Sequence, residues 1–191
     1  DVKLMDCMEG MKAFPDKFFD LAIVDPPYGL GDRLEKGGGK LKNSPFAKLY
    51  RESSKWDNAK PEAEYFTELF RVSKNQIIWG GNYFDLPPTR CIICWDKGQY
   101  MHTLSQWEMG WTSFDKVAKI FRKQSTDLNR FHPTQKPITL YAWLLDNYAK
   151  PGDNAIMDVL KRLPGIKVED DGTIKYQGKP INKFYIDGND F

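Results

Sequence analysis

The chain has 191 residues, of which 41% are hydrophobic, so it is long enough for one domain with a buried core. Its formal net charge of only +2 excludes a surface dominated by one sign of charge. No apolar run approaches the roughly 20 residues of a membrane helix, and three cysteines without a signal peptide fit a reducing compartment. We therefore expect a cytoplasmic protein with no membrane partner.

The first half of the chain predicts strands that alternate with helices. An apolar run at residues 20–24 predicts a short buried strand. Helices are predicted around residues 8–14 and over residues 61–73, where a proline near the start precedes apolar residues at helical spacing. Further strands are predicted at residues 2–5, 76–79 and 91–95.

The second half continues this alternation after an irregular region. Residues 100–130 are aromatic and basic and show no clean period. Residues 137–148 carry one apolar face and predict the clearest helix, and residues 154–159 predict a last strand. Alternating strands and helices predict an α/β sheet with ligand sites at the carboxyl ends of its strands.

No metal site is expected from the cysteines. Cys91 and Cys94 form a C-x-x-C pair, but they lie in an apolar run typical of a buried strand. A zinc site would need a second pair of ligands at a suitable spacing, and the sequence offers none that is convincing.

Two segments concentrate positive charge. Residues 33–60 hold eight lysines and arginines against three acids, and residues 116–130 hold five against one. The first segment is rich in glycine and predicts a mobile basic loop. Both segments could contact phosphates, and a simply solvated surface is the alternative.

The stretch LAIVDPPYGL, residues 21–30, places unusual chemistry at a strand end. Asp25 follows the apolar run, and Pro26 and Pro27 prevent the strand from continuing. The Asp25 carboxylate and the Pro26 carbonyl could each accept one hydrogen bond from an exocyclic NH2 group, which would leave its lone pair available to attack. Tyr28 offers a flat surface for a base. The alternative is a loop whose prolines only end the strand while Tyr28 packs locally.

These residues carry a family resemblance. VDPPYG resembles the catalytic motif of DNA amino-methyltransferases that use S-adenosylmethionine, and the Asp form is similar to the adenine-N6 group. FHPTQKP at residues 131–137 resembles the family's segment before the cofactor domain, and PGDNAIMD at residues 151–158 resembles the entry to its cofactor strand. This order of motifs is that of the circularly permuted beta group.

The resemblance implies a Rossmann-like, circularly permuted α/β sheet with one reversed hairpin, over residues 1–158. It implies a flipped adenine and direct methyl transfer to N6, with Asp25 and Pro26 holding the amine, Pro27 shaping the loop and Tyr28 stacking on the base. The residues that it places at the cofactor are Asp6, His132, Thr134, Gln135, Lys136 and Asp158. Lys136 is the expected partner of the cofactor's carboxylate.

Plainer roles remain open for several of these residues. Asp6 could be a simple helix cap, and His132 a loop histidine with ordinary hydrogen bonds. Tyr83 and Phe84 could line the pocket or only pack in the core.

Double-stranded DNA is the partner that the resemblance implies, and RNA stays open. Residues 100–130 would form a small target-recognition region, and cations in both basic segments would contact phosphates. The residues expected to do so are Arg33, Lys36, Lys40, Lys42, Lys119, Arg122 and Lys123.

The pattern breaks after Asp158, where the family's glycine-rich cofactor loop is missing. The tail, residues 159–191, instead resembles part of the plug domain of TonB-dependent outer-membrane receptors. Two explanations are open: a fused reading frame, or replacement of the second cofactor strand by residues 183–191, with Asp187 on the ribose hydroxyls.

Either explanation predicts a sheet that is incomplete at the cofactor end. Cofactor binding would be weakened, and a second copy of the chain could cover the open edge as a homodimer. The alternative to an active enzyme is an inactive DNA-binding remnant or fusion product.

Overall fold

The structure, a computed structural model, describes residues 6–31, 57–99, 105–124 and 136–153, together with the backbone of six short strands beyond them. The helices are α1 (Cys7–Lys12), α2 (Ala63–Val72) and α3 (Ile138–Tyr148), with a 3-10 turn at Gly81–Tyr83. The strands before the tail are β1 (Phe19–Val24), β2 (Ser73–Trp79), β3 (Ile92–Asp96), β4 (Trp107–Thr112), β5 (Lys119–Arg122) and β6 (Ala155–Met157). Those in the tail are β7 (Ile166–Val168), β8 (Ile174–Tyr176), β9 (Lys179–Ile181), β10 (Phe184–Ile186) and β11 (Asn189–Asp190).

The fold is mixed α/β around one open sheet, in the order β11-β10-β6-β1-β2-β4-β3-β5. Strands β10, β6, β1 and β2 run parallel to one another, whereas β4 runs antiparallel to both β2 and β3. The pairs Ile23↔Met157 and Val24↔Ile78 place the carboxyl end of β1 beside those of β6 and β2. The end of β1 therefore lies in the middle of the sheet.

Strand β1 is buried because helices cover both faces of the sheet. Leu21 and Ile23 belong to the core formed with α3, whereas Ala22 and Val24 belong to the core formed with α1 and α2. A strand buried on both faces has a nearly continuous apolar sequence, which is why the apolar run located it.

Helix α2 joins β1 to β2 as a crossover between parallel strands. Its buried residues, Tyr65, Phe66, Leu69 and Val72, recur at helical spacing. The Arg71 guanidinium donates hydrogen bonds to the main-chain oxygens of residues 11 and 14, so it ties α2 to the last turn of α1 and to the segment that follows.

Most of the predicted elements are confirmed, with small shifts at their ends. The strands predicted at 20–24, 76–79, 91–95 and 154–159 correspond to β1, β2, β3 and β6, and the helices to α1, α2 and α3. The irregular region is where prediction missed structure, because residues 105–124 contain β4 and β5. The predicted strand at residues 2–5 and most of the predicted mobile loop at 33–60 lie outside the described residues.

The tail contributes strands to two sheets. Strands β7, β8 and β9 form a separate antiparallel sheet. Strand β10 pairs in parallel with β6, and β11 pairs antiparallel with β10. The backbone of β10 therefore covers the edge of β6 that the sequence left open, and replacement of a cofactor strand by residues 183–191 stays a prediction. Residue 187 itself lies outside the described residues.

None of the helices in the described parts of the chain could cross a lipid bilayer. The longest of them, α3, has 11 residues.

Candidate active site

Asp25 lies at the carboxyl end of β1, the central parallel strand. Its neighbours β2 and β6 end at the same edge of the sheet. Pro26 is buried and turns the chain away from the strand, while the Asp25 side chain stays 15% exposed. The carboxyl end of such a sheet is where α/β proteins bind ligands, so Asp25 occupies the expected position for chemistry.

Both oxygens of the Asp25 carboxylate have a donor. The Tyr28 hydroxyl donates to Oδ1 at 2.6 Å, and the Lys136 ammonium donates to Oδ2 at 2.5 Å. Lys136 also lies 3.2 Å from the Tyr28 hydroxyl, so the three groups form a closed triangle. The orientation of the carboxylate is thereby fixed from two sides.

Lys136 is the buried centre of a chain of alternating charges. Its side chain is only 2% exposed and contacts Glu108 at 3.3 Å in addition to Asp25. Glu108 in turn pairs with Lys97 at 2.5 Å. The order Lys97, Glu108, Lys136, Asp25 alternates positive and negative charge, so the cluster carries no net charge.

The pKa values of the cluster favour these charges. Burial alone would lower the pKa of Lys136, but the Asp25 and Glu108 carboxylates outweigh it and the pKa is raised. Burial would raise the pKa of Glu108, but Lys136 and Lys97 hold it below its ordinary value. Burial, followed by the Asp25 charge, raises the pKa of Tyr28 well above its ordinary value, so the phenol stays a hydrogen-bond donor.

The Tyr28 ring belongs to an aromatic stack. It lies parallel to the Tyr83 ring, with centroids 4.8 Å apart and planes 15° apart, and meets the edge of Phe84 at 6.1 Å. The sequence left two roles open for Tyr83 and Phe84, lining a pocket or packing in the core. Both side chains contact Tyr28 directly, in the DPPY loop (residues 25–28). Gly80 permits this approach, because its φ is +69° and any Cβ there would overlap the Tyr28 ring.

Asp57 holds the loop that follows the motif. Its carboxylate, in a residue only 1% exposed, accepts hydrogen bonds from the main-chain N–H groups of Gly29 at 2.7 Å and Leu30 at 3.2 Å. The Gly31 N–H donates to the Asp57 carbonyl at 2.8 Å. Sequence analysis counted Asp57 only as a charge in the basic segment, since no local pattern indicates a partner so far along the chain.

The residues expected at the cofactor are placed unevenly. Asp6 caps α1, because its carboxylate accepts the Met8 N–H at 2.8 Å, and a contact with adenosine stays a prediction. Lys136 is ion-paired with Asp25 and Glu108, so its charge is already balanced, and a contact with a cofactor carboxylate stays a prediction. The remaining expected residues, His132, Thr134, Gln135 and Asp158, lie outside the described residues.

The expected phosphate contacts are only partly described. Arg122 and Lys123 lie at the carboxyl end of β5, on the same edge of the sheet as Asp25, and Arg122 pairs with Asp96 at 3.2 Å. Lys119 starts β5 and therefore lies at the opposite edge, where it donates to the Asn147 side chain. The other four, Arg33, Lys36, Lys40 and Lys42, lie outside the described residues.

A cleft lies at the other end of the sheet. Its volume is about 480 Å³, and its lining includes Lys17, Lys74, Arg90 and Trp111. Each of its cations has a partner: Lys17 donates to main-chain carbonyls, Lys74 pairs with Asp20, and Arg90 pairs with Asp115.

Across the described ranges, no group of three His, Cys, Asp or Glu side chains could hold a metal ion.

Comparison with known proteins adds no relative to this picture. No protein-family model matches the chain, and no curated protein has a significantly similar sequence. The functional conclusion therefore depends on the motif and on the geometry around Asp25.

Proposed function

We propose that this protein is a site-specific DNA methyltransferase that transfers a methyl group from S-adenosylmethionine to adenine N6. The observation that carries the proposal is the Asp25 carboxylate, held between Tyr28 and Lys136 at the end of the central parallel strand. A fixed carboxylate beside an aromatic stack suits a planar base that presents an exocyclic amine.

The strand topology supports the proposal that the sheet is Rossmann-like and circularly permuted. Four strands, β10, β6, β1 and β2, run parallel, and β4 is reversed, as the doubly wound sheet with a reversed hairpin requires. Strand β1, which ends at the proposed catalytic motif, pairs with β6 and comes before it in the chain. This agrees with the permuted order, in which the catalytic motif precedes the cofactor strand.

The amine clamp works through hydrogen-bond acceptors. The Asp25 carboxylate would accept a hydrogen bond from one N6 hydrogen, and the Pro26 carbonyl would accept one from the other. These two hydrogen bonds would leave the nitrogen lone pair available to attack the methyl group. Bound S-adenosylmethionine would supply an electrophilic methyl group, so that an N6–carbon bond forms while a sulfur–carbon bond breaks. The proton that N6 loses would pass to Asp25 and then to water. No covalent link to the protein is needed.

Tyr28 would position the base in two ways. Its ring, supported by Tyr83, gives the adenine a rigid surface on which to stack. Its hydroxyl, which donates to Asp25 Oδ1, keeps the carboxylate in the plane where an N6 hydrogen can reach it. A base that is taken out of the duplex loses its neighbouring bases, so such a surface offsets part of that cost.

Basic residues at the same edge would bind the nucleic acid backbone. Arg122 ends β5 and Lys123 follows it, at the Asp25 end of the sheet. Contacts of this kind make binding weaker as salt concentration rises, with a slope set by the number of phosphates neutralised. We therefore expect DNA binding that is steeply salt-dependent.

The second candidate is a DNA-binding protein without methyl transfer. One observation favours it: Lys136, the expected partner of the cofactor carboxylate, is already paired with two acids. The missing glycine-rich loop after residue 158 has the same consequence for cofactor binding. This candidate predicts salt-sensitive DNA binding and no S-adenosylmethionine binding by calorimetry.

Transfer of a labelled methyl group to unmodified duplex DNA tests the proposal. We expect incorporation with the full chain and none with Asp25→Ala. Asp85→Ala removes an exposed carboxylate next to Phe84, whose ring contacts Tyr28, and is the matched control, with full activity expected. Equal labelling by the full chain and Asp25→Ala would refute the role of Asp25. Labelling of RNA in place of DNA would correct the substrate.

A further inference from the structure

We propose that Lys136 is a positioning residue, held by Glu108, that orients Asp25 toward the amine of the substrate. This inference rests on the proposed function, because it concerns the same carboxylate. It assigns roles to Glu108 and Lys97, which the motifs do not include. In this inference the partners of Lys136 are Asp25 and Glu108 and not the carboxylate of the cofactor.

The reversed strand explains how Glu108 reaches the site. Gly110 of β4 pairs with Trp79 at the end of β2, so Glu108 projects past that end to the edge where Asp25 lies. Lys97 follows the last residue of β3 and arrives at the same edge. Two separate parts of the sheet therefore bring carboxylates to one buried ammonium group, and Lys97 pairs with one of these carboxylates.

The burial of Lys136 makes this arrangement necessary. An ammonium group that is only 2% exposed loses nearly all its hydration, and two carboxylates replace it. The rings of Trp79 and Tyr28 flank it, with centroids 5.4 Å and 5.7 Å from Nζ. Removing either acid would leave an incompletely compensated buried charge, so Glu108 keeps Lys136 in place for Asp25.

The contact with Asp25 gives Lys136 a functional consequence. Lys136 binds Oδ2 and Tyr28 binds Oδ1, so the carboxylate cannot rotate about its terminal bond without losing one of them. Its remaining lone pairs point in fixed directions, which is what acceptance of a single N6 hydrogen requires. Without Lys136, Tyr28 alone would hold the group and misaligned orientations would become populated.

The titratable groups around Lys136 determine its response to pH. Those that face it or its partners are Asp25 and Tyr28 after β1, Glu108 of β4, Lys97 after β3 and Tyr141 of α3. Glu108→Gln removes one of the two carboxylates that raise the Lys136 pKa, so that pKa falls. Lys136 then loses its proton, and Asp25 its cation, at a lower pH than in the unmodified protein.

The kinetic test compares three variants of the cluster and one control variant with the full chain. Lys136→Met should lower kcat about 100-fold, the cost of a misplaced reacting group, with KM for DNA changed less than about 3-fold. Lys136→Arg, which keeps the charge, should restore part of kcat. Glu108→Gln should lose activity earlier as pH rises, whereas Glu68→Gln, which removes an ion-paired carboxylate on α2, should leave the profile unchanged.

A second measurement does not depend on methyl transfer. The buried Lys136 ammonium should exchange slowly with water and give a 15Nζ signal in NMR, absent in Lys136→Met and shifted in both Asp25→Asn and Glu108→Gln. No shift in those two variants would overturn the inference even if the chain were inactive. Activity in the full chain together with unchanged kcat in Lys136→Met would overturn it while leaving the proposed function intact.

Discussion

The two ends of the sheet differ in how they satisfy their charges. At the amino end of β2, a cleft of about 480 Å³ contains several cations, each with its own main-chain or carboxylate partner. At the carboxyl end of β1, one buried cation joins two acids from different strands, and an aromatic stack adjoins them. Convergence of charges from several elements, rather than the size of a cavity, therefore distinguishes the candidate site.

The largest effect on stability is expected at Gly80, which packs against Tyr28 at the carboxyl end of the sheet. Gly80→Ala should lower the free energy of unfolding by about 2 to 3 kcal/mol, because the new Cβ overlaps the Tyr28 ring and φ is positive. Methyl transfer should fall as Tyr28 moves. Urea titration measures the stability change.

Gly152→Ala is the matched control for that change. Gly152 also has a positive φ, +90°, but nothing lies within 4 Å of the new Cβ. The loss should be about 1 kcal/mol, from the backbone alone. Equal losses for the two variants would show that close packing on Tyr28 contributes nothing.

The anchor of the DPPY loop should give the next largest effect. Asp57→Ala leaves the Gly29 and Leu30 N–H groups without their acceptor and should cost about 2 kcal/mol in unfolding free energy. Hydrogen exchange at residues 29–31 should also accelerate. Asp57→Asn keeps one acceptor oxygen and should lose less, so an equal loss in both variants would contradict the proposed anchoring.

The Tyr28 hydroxyl should have a smaller effect, confined to catalysis. Tyr28→Phe keeps the ring and removes the donor to Asp25 Oδ1, so kcat should fall about 10-fold, as for one lost hydrogen bond. Tyr148→Phe removes a buried hydroxyl that contacts Cys91 Sγ at 3.6 Å, away from Asp25, and should leave kcat unchanged. A fall of the same size in both variants would indicate a general loss of packing.

The smallest effect is expected at the other end of the sheet. Arg90 and Asp115 form an ion pair whose side chains are 69% and 85% exposed. Arg90→Ala should change the free energy of unfolding by less than about 0.5 kcal/mol and leave methyl transfer unchanged. Loss of activity in Arg90→Ala would indicate that the cleft takes part in function and would weaken the contrast between the two ends.

The sequence predicted those parts of the site that depend on local chemistry. Asp25, Pro26, Pro27 and Tyr28 were found because an apolar strand, an acid and two prolines follow one another directly. The elements around them were found because buried strands leave a short apolar run and amphipathic helices leave a local period.

The partners of Asp25 could not be predicted in the same way. Glu108 lies in β4, where Gly110, Trp111 and Thr112 are all buried and no alternation marks the strand. The sequence singled out Lys136 as a partner of the cofactor's carboxylate, but its hydrogen bond to Asp25 joins residues that are far apart in the chain. The parallel pairing of β10 with β6 is long-range in the same sense, and three apolar residues alone do not predict it.

The base that acquires a methyl group tests the central claim most directly. Unmodified duplex DNA would be incubated with S-adenosylmethionine and either the full chain or Asp25→Ala, digested to nucleosides and analysed by mass spectrometry. The account predicts N6-methyl-deoxyadenosine with the full chain and none with Asp25→Ala. No methylated adenine with the full chain, or equal amounts with both proteins, would contradict it.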